Sequence, residues 1–496
     1  MLVTSEPRTI LSALASRDPD GPALVDAAGT VSRAELAALA TTTAAWLTRR
    51  GVRPGDRVLV RAGAHRTTVA ALFGCLRAGA VFVPYATDTT GYQLAHLVAD
   101  ADPALLLTDD PSDLDNVPGV GAVPGALVDE LRAAEPVSEA PDPPVGPDDL
   151  ALLLYTSGST ARPKAVACTH GQVAFAARAV AARVRYRAED VVLCRLPLSF
   201  DYGLYQTFLT FQAGGTLVLA DATRDARFLV DLAATGVTVL PLVPSLATML
   251  LRLATRRATP ALTSPRLVTS TGEHLPAATI AGLRRVFPRA GVQIMFGTTE
   301  CKRITVHEVD GDRDRPGSVG RPLPGTSVHI LDDQGREVPA GRSGQIAVRG
   351  PHLMAGYWRA PEQTAARYRR DAGGGRTLLT GDHGHLDAEG YLYFDGRRDH
   401  LFKLRGVRTS TVEIEDAAGR VPGVDQAVVL PPDQNREAVL VVVASAGPEQ
   451  VLAGLRALLG PARTPATCRV VAAMPLTANG KVDRRALGRL VDGGRS

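Results

Sequence analysis

The chain is 496 residues long, 45% apolar and 21% charged, which excludes wholesale disorder and a fibrous protein and leaves room for two to four domains of ~100–200 residues. A net charge of +4, evenly spread, argues against a nucleic-acid surface. No run approaches the ~18 uninterrupted apolar residues of a membrane helix, and the N-terminus lacks the basic and apolar regions of a secretory signal.

The first clear elements lie between residues 56 and 108. DRVLV predicts a strand, TTVAALFGCLRAG an apolar helix, AVFVPY a strand, YQLAHLVADA a helix and ALLLTD a strand. This βαβαβ rhythm implies a parallel sheet covered by helices. Residues 132–149 are rich in Pro, Asp and Glu and predict a surface linker. A strand, ALLLY (151–155), follows and runs straight into a polar loop. Strand–helix alternation continues to about residue 300. Residues 316–356 are short β runs broken by Gly, Pro and DxxG turns, which predict a small antiparallel sheet or distorted barrel. After Gly396 a smaller unit is expected, with TVEIEDAAGRV and QVLAGLRALL as helices and AVVL and AVLVVV as strands. The expected fold is therefore α/β. It has a large unit, 1–395, of parallel sheets with a barrel-like subdomain, and a small mobile α+β unit, 396–496.

Two residue types are informative by their usage. The five cysteines (Cys75, Cys168, Cys194, Cys301, Cys468) form no CxxC pair, so neither a zinc site nor a disulfide framework is expected, and a reducing cytoplasm fits. Of the 55 basic residues only four are lysines: Lys164, Lys302, Lys403 and Lys481. Where a chain otherwise uses Arg, a lysine marks a need for a compact charge on a flexible stem.

Four segments carry candidate chemistry. Tyr155-Thr-Ser-Gly-Ser-Thr-Ala-Arg-Pro-Lys164 follows a buried strand and offers hydroxyls, backbone N–H groups and one cation, a set suited to a polyphosphate. It lacks the Gly-Lys-Ser/Thr of a Walker A loop, and its composition also fits an exposed Ser/Thr turn. Met295-Phe-Gly-Thr-Thr-Glu-Cys-Lys-Arg303 places an aromatic, a glycine and a carboxylate at the end of a strand. That arrangement suits a stacking face, a close backbone approach and a metal-bound oxygen, or equally a solvated turn. Leu379-Thr-Gly-Asp382 is followed by the run from Tyr391 to Gly406, in which Gly396-Arg-Arg-Asp399 resembles a polar hinge or an ordinary linker. Finally, Pro475-Leu-Thr-Ala-Asn-Gly-Lys481 sets a lysine just past an Asn-Gly turn, or leaves it as an exposed tail residue.

Together these segments resemble one family across nearly the whole chain, the adenylate-forming superfamily of acyl-CoA synthetases, peptide-synthetase adenylation domains and luciferases. YTSGSTARPKAV matches its phosphate loop, FGTTE its adenine and magnesium segment and TGD its ribose segment. GRRDHLFKLRGVRTSTVEIE matches its hinge, and LTANGKVDRRAL its C-terminal catalytic loop. The resemblance implies attack of a carboxylate on ATP to give acyl-adenylate and pyrophosphate, then capture of the acyl group by a thiol.

By that resemblance Thr156, Ser157, Gly158, Ser159, Thr160 and Lys164 cradle the β,γ-phosphates. Glu300 holds Mg²⁺ and Thr299 contacts the α-phosphate. Phe296 stacks on adenine beside Gly297 and Phe394, with Gly272 and Glu273 at the pocket edge. Asp382 and Arg397 bind ribose, and Lys481 bridges the acid's carboxylate and the α-phosphate. Asp399 is the hinge, and rotation about it turns Lys403 and Gly406 toward the site in the thioester-forming state. Phe200, Asp201, Tyr205, Thr269, Thr271, Met295, Lys302 and Arg303 are assigned to the acid pocket. Asp201 follows an aromatic at the start of a predicted helix. It either caps that helix or, as in amino-acid-activating members, pairs with the substrate's ammonium. Two departures stand out. Ala161 occupies a position where the family usually has Gly, and Cys301-Lys302-Arg303 is not the general pattern.

The expected activity is that of a free-standing ligase that adenylates a carboxylic acid, of amino-acid type, and passes it to a separate carrier protein. The chain ends 15 residues after Lys481, with no carrier domain of its own. The alternatives are an acyl-CoA synthetase, a non-thiol outcome from the same adenylate, and an inactive nucleotide-binding protein. The presence of Lys481, Glu300 and Asp382 counts against the last.

Overall fold

A computed structural model describes residues 11, 18–115, 122–124, 145–156, 163–220, 228–256, 261–370, 375–397, 401–405, 407–433, 436–477 and 480–492. The βαβαβ rhythm is realised as strands Arg57–Arg61, Val81–Tyr85 and Leu105–Thr108, connected through helices Arg66–Arg77 and Gly91–Ala101. These strands are apolar along their length because helices cover both faces of the sheet. They join a seven-stranded sheet in which Val81–Tyr85 lies parallel to Leu150–Thr156. Most of the predicted linker lies outside the described residues.

A second sheet has nine strands. Its centre is a parallel run of Val191–Cys194, Val239–Leu242, Leu267–Ser270 and Gly291–Phe296, neighbours in that order. All four strands therefore end on the same edge, where the loops of an open α/β sheet meet their ligands. The predicted small β region is a five-stranded antiparallel sheet that begins at Ser327–Leu331. It runs on to Arg376–Leu386 and Leu392–Arg397, beyond the segment that its turn residues marked. One core draws on all three sheets, with Phe82 and Leu152 from the first, Val192 and Leu217 from the second and Ile346 from the third.

The C-terminal part has its own packing. Val424–Leu430, Val439–Ala444 and Thr467–Val470 form a three-stranded sheet. Helices Thr411–Ala418 and Pro448–Leu459 bury Ile414, Val451 and Leu455 against it. Leu487 and Val491 of helix Arg484–Asp492 close the other face.

Two core histidines set a pH dependence. His170 and His352 are 0% and 1% exposed, and their ring nitrogens have no hydrogen-bond partner among the described residues. Burial pushes both imidazoles down to about 4. In the unfolded chain they protonate near ~6.5. Between those values the unfolded state holds protons that the folded state does not, so stability is lost as pH falls through that window. The melting temperature should drop between pH 7 and pH 5, and His352→Phe, a ring of similar shape, should flatten the drop. Equal slopes for wild type and variant in a pH series of melting curves would contradict the assignment.

Candidate active site

The four parallel strand ends deliver most of the assigned residues to one place. Val191–Cys194 leads to Phe200 and Asp201, and Val239–Leu242 leads to Val243 and Ser245. Leu267–Ser270 leads to Thr271, Gly272 and Glu273, and Gly291–Phe296 leads to the loop from Gly297 to Arg303. Asp201 opens helix Asp201–Ala213, but the N-cap is Phe200 and no side chain caps the helix. The capping alternative for Asp201 does not hold. Its Oδ2 instead accepts from Arg303 Nη1 at 3.1 Å, and both side chains are buried.

The geometry around this pair is tight. The Arg303 guanidinium lies over the Tyr202 ring, 4.7 Å from its centroid. Tyr202 in turn shares a 2.7 Å hydrogen bond with Thr269. Lys302 is also buried, and its ammonium donates to the Thr299 carbonyl at 2.8 Å rather than to a carboxylate. Lys302 has a φ of 63°, left-handed and strained for a side chain of its size. Gly297 makes this turn possible. A Cβ there would stand 2.2 Å from the Lys302 carbonyl oxygen and 2.7 Å from Arg303 Cα. Next to the pair is a small pocket, lined by Val180, Val184, Tyr205, Leu209, Met295, Lys302 and Arg303 among others. The Tyr205 hydroxyl is buried without a hydrogen-bond partner among the described residues, and so is the Thr271 hydroxyl.

The residues assigned to nucleotide fall into three groups. Lys164 Nζ sits 5.5 Å from the centroid of the Tyr357 ring, and the Tyr357 hydroxyl donates to Glu300 Oε1 at 2.7 Å. Burial pushes the Glu300 carboxyl up, but hydrogen bonds from Tyr357 and Thr298 outweigh it and hold Glu300 below the usual range, ionised. Asp382 is cross-strand from Arg397, whose Nε donates to it at 3.1 Å. Burial nevertheless leaves the Asp382 carboxyl raised. The Phe296 and Phe394 rings face each other with centroids 5.2 Å apart. Thr156 ends its strand against Lys164. Ser157, Gly158, Ser159, Thr160 and Ala161 lie outside the described residues, as do Asp399 and Gly406. Lys403 falls in strand Leu401–Leu404.

Lys481 reaches this site from the C-terminal part. Its Nζ lies 5.7 Å from the centroid of the Phe200 ring, and a Cβ on Gly272 would touch its Cε at 3.7 Å. Desolvation raises the Glu273 carboxyl, while the charges of Lys481 and Arg484 oppose the rise. Sequence reasoning missed Tyr202, Tyr357 and Ser245. Tyr202 was within reach, since it is adjacent to Asp201. Tyr357 lies 57 residues from its partner Glu300, and no local pattern connects them.

Comparison with known proteins identifies the family of the chain. The family model for an AMP-binding enzyme matches residues 11–358, and that for the AMP-binding enzyme C-terminal domain matches residues 413–481. Enterobactin synthase component F of Escherichia coli (strain K12) is 33% identical over 97% of this chain, which spans 39% of that protein. The 3-hydroxybenzoate–CoA ligase of Aromatoleum sp. (strain CIB) is 30% identical over 96% of this chain and 94% of its own length. The chain thus spans well under half of the first relative and nearly all of the second. Among solved structures, VinN in complex with L-aspartate is 42% identical, with a TM-score of 0.71 over 78% of this chain and 97% of that one. ATP-bound MatB from Rhodopseudomonas palustris is 30% identical, with a TM-score of 0.87 over 99% of this chain and 100% of that one.

The packing at Gly297 makes a direct prediction. Gly297→Ala drives a Cβ into backbone, so a shift of the Lys302–Arg303 turn should lower stability by about 1–3 kcal/mol. Urea unfolding monitored by fluorescence reads this as a lower midpoint. An unchanged midpoint would mean that the turn yields freely.

Proposed function

This chain belongs to the AMP-binding enzyme family of adenylating ligases, and on that basis we propose that it activates an amino acid carrying a second carboxylate, an aspartate-type substrate. One observation carries the reading. The acid pocket buries one carboxylate, Asp201, with two cations, Lys302 and Arg303. Among the described residues Lys302 forms no ion pair with a carboxylate, and its ammonium donates to a carbonyl instead. An uncompensated buried charge is expensive, and a ligand that supplies an anion relieves it. An amino dicarboxylate does so while offering its ammonium to Asp201. A monocarboxylic amino acid would bring its ammonium without a second anion for Lys302 and Arg303. The solved complexes of VinN with L-aspartate and with 3-methylaspartate support the same class of acid.

In this reading the reacting carboxylate lies near Phe200 and Gly272, where the Lys481 ammonium balances charge shared between it and the α-phosphate. Thr156 and Lys164 approach the outer phosphates, and Thr299 the α-phosphate. Asp382 with Arg397 takes the ribose hydroxyls, and Phe296 with Phe394 flanks the base. Glu300 suits a divalent cation, because it is held ionised and aimed inward. Among the described residues no three His, Cys, Asp or Glu side chains gather for a metal. A Mg²⁺ held by Glu300 would complete its shell with phosphate oxygens and water, and it would supply charge neutralisation. The small unit from residue 396 turns about Asp399 between adenylation and thiol capture. The acceptor is the phosphopantetheine thiol of a separate carrier protein. CoA is the second reading, favoured by the CoA-ligase relative of matching length.

Pyrophosphate exchange across a panel of acids tests this whichever thiol follows. L-aspartate and its 3-substituted analogues should be the best substrates. Their deaminated counterparts should be worse by about 1.5–3 kcal/mol, the worth of one hydrogen bond to a charged group, because Asp201 keeps Arg303 as a partner when the ammonium is missing. Best exchange with simple fatty or aryl acids would overturn the reading.

Lys481→Ala should slow exchange by ~10²–10³, the usual loss on removing one donor to developing charge. ATP binding measured by calorimetry should weaken little. Near-wild-type exchange in this variant would remove Lys481 from the chemistry.

A further inference from the structure

The loop that carries Lys481 is closed by its own hydrogen bonds. Thr477 N–H donates to the Lys481 carbonyl at 2.7 Å, and Gly480 N–H to the Thr477 carbonyl at 2.8 Å. Lys481 N–H also donates to Thr477 Oγ1 at 3.2 Å. These bonds tie Gly480, at the tip, and Lys481 back to Thr477, so whatever holds that tip sets where the ammonium points. The tip is held from the large unit. The Ser245 hydroxyl, in the first turn of helix Pro244–Arg256, donates to the Gly480 carbonyl. Gly480 has a φ of 72°, and a Cβ on it would stand 3.1 Å from Ser245 Oγ and 3.2 Å from Val243 Cγ2. Glycine is what permits both the turn and the close approach.

One ion pair and one histidine–carboxylate contact flank this seat. Arg252, two turns along the same helix, places Nη2 3.5 Å from Asp425 Oδ2 of the small unit. His274 places Nε2 3.6 Å from Asp416 Oδ1. These groups keep solvent access. Such pairs are individually weak and are screened by salt. That weakness matters if the small unit must leave this position once the adenylate has formed.

We propose that Ser245, Arg252 and His274 form a docking seat that positions Lys481 for adenylate formation. Its Arg252–Asp425 contact is a weak ion pair, so ionic strength and surface charge tune how readily the small unit docks. These are positioning residues, and none of them touches substrate. The proposal rests on the role given to Lys481 in the proposed function. Only the adenylation step needs the seat, so its loss should appear in the turnover of that step and not in nucleotide affinity.

Charge reversal tests the seat, with whichever acid supports wild-type pyrophosphate exchange. Arg252→Asp and Asp425→Arg should each lower exchange kcat about two- to fivefold, the range of an exposed pair, with KM for ATP unchanged. The double variant Arg252→Asp/Asp425→Arg should recover most of the loss. Ser245→Ala should lower kcat about two- to tenfold through loss of one hydrogen bond, with no recovery at any salt concentration. Raising salt from 50 to 500 mM should lower wild-type exchange toward that of the Arg252 variant. Silent single variants, a double variant no better than either single, or losses confined to KM would overturn the seat. No exchange by the wild type with any acid would instead overturn the proposed function, so the two failures are distinguishable.

Discussion

The buried ion pair between Asp201 and Arg303 is the interaction on which the rest of the site depends. Two charges taken out of water are tolerated only when geometry is good and other polar neighbours are satisfied. The protein meets this demand with several separate features. Asp201 is delivered at a helix N-terminus, where backbone N–H groups favour negative charge. Tyr202 gives the guanidinium an aromatic face and is itself fixed by Thr269. Gly297 lets the Lys302–Arg303 turn fold back onto its own strand. The strained Lys302 backbone is held by that packing, and such strain persists only where the surroundings over-determine it.

The same economy of placement governs the nucleotide side. Tyr357 bonds to Glu300 and lies beneath Lys164, so the Lys164 ammonium and the Glu300 carboxylate are tied through one phenol. The hydrogen bonds that Glu300 accepts keep it ionised despite burial. Asp382, with Arg397 as its cationic partner, is instead left raised by burial. Two carboxylates in one site thus have opposite tendencies because their hydrogen-bond donors differ.

Much of this was legible in the residues alone. The parallel strands of the first sheet follow from apolar runs at βαβ spacing, and five motifs in register point to one family. The antiparallel sheet was legible in kind but not in extent. Its later strands, such as Arg376–Leu386, carry polar residues and a glycine for the site and so lack a clean alternation. The helical start at Asp201 was also foreseen, but its carboxylate's partner was not. Capping is a local rule read over three residues, whereas the pair with Arg303 closes over 102 residues.

The sequence by itself determined the kind of chemistry: a hydroxyl-rich loop before a lysine, a strand-end Glu300 and a lone Lys481 past a turn. These signals are local, because strand-to-loop junctions and tight turns are encoded within a few residues. The tertiary structure alone decided which charges meet. It set Arg303 on Asp201, Tyr357 on Glu300 and Ser245 on the Gly480 carbonyl. Those contacts arise where adjacent parallel strands end on one edge and a second unit docks over them. No periodicity records that arrangement, since it is fixed by how whole sheets pack to bury their apolar faces.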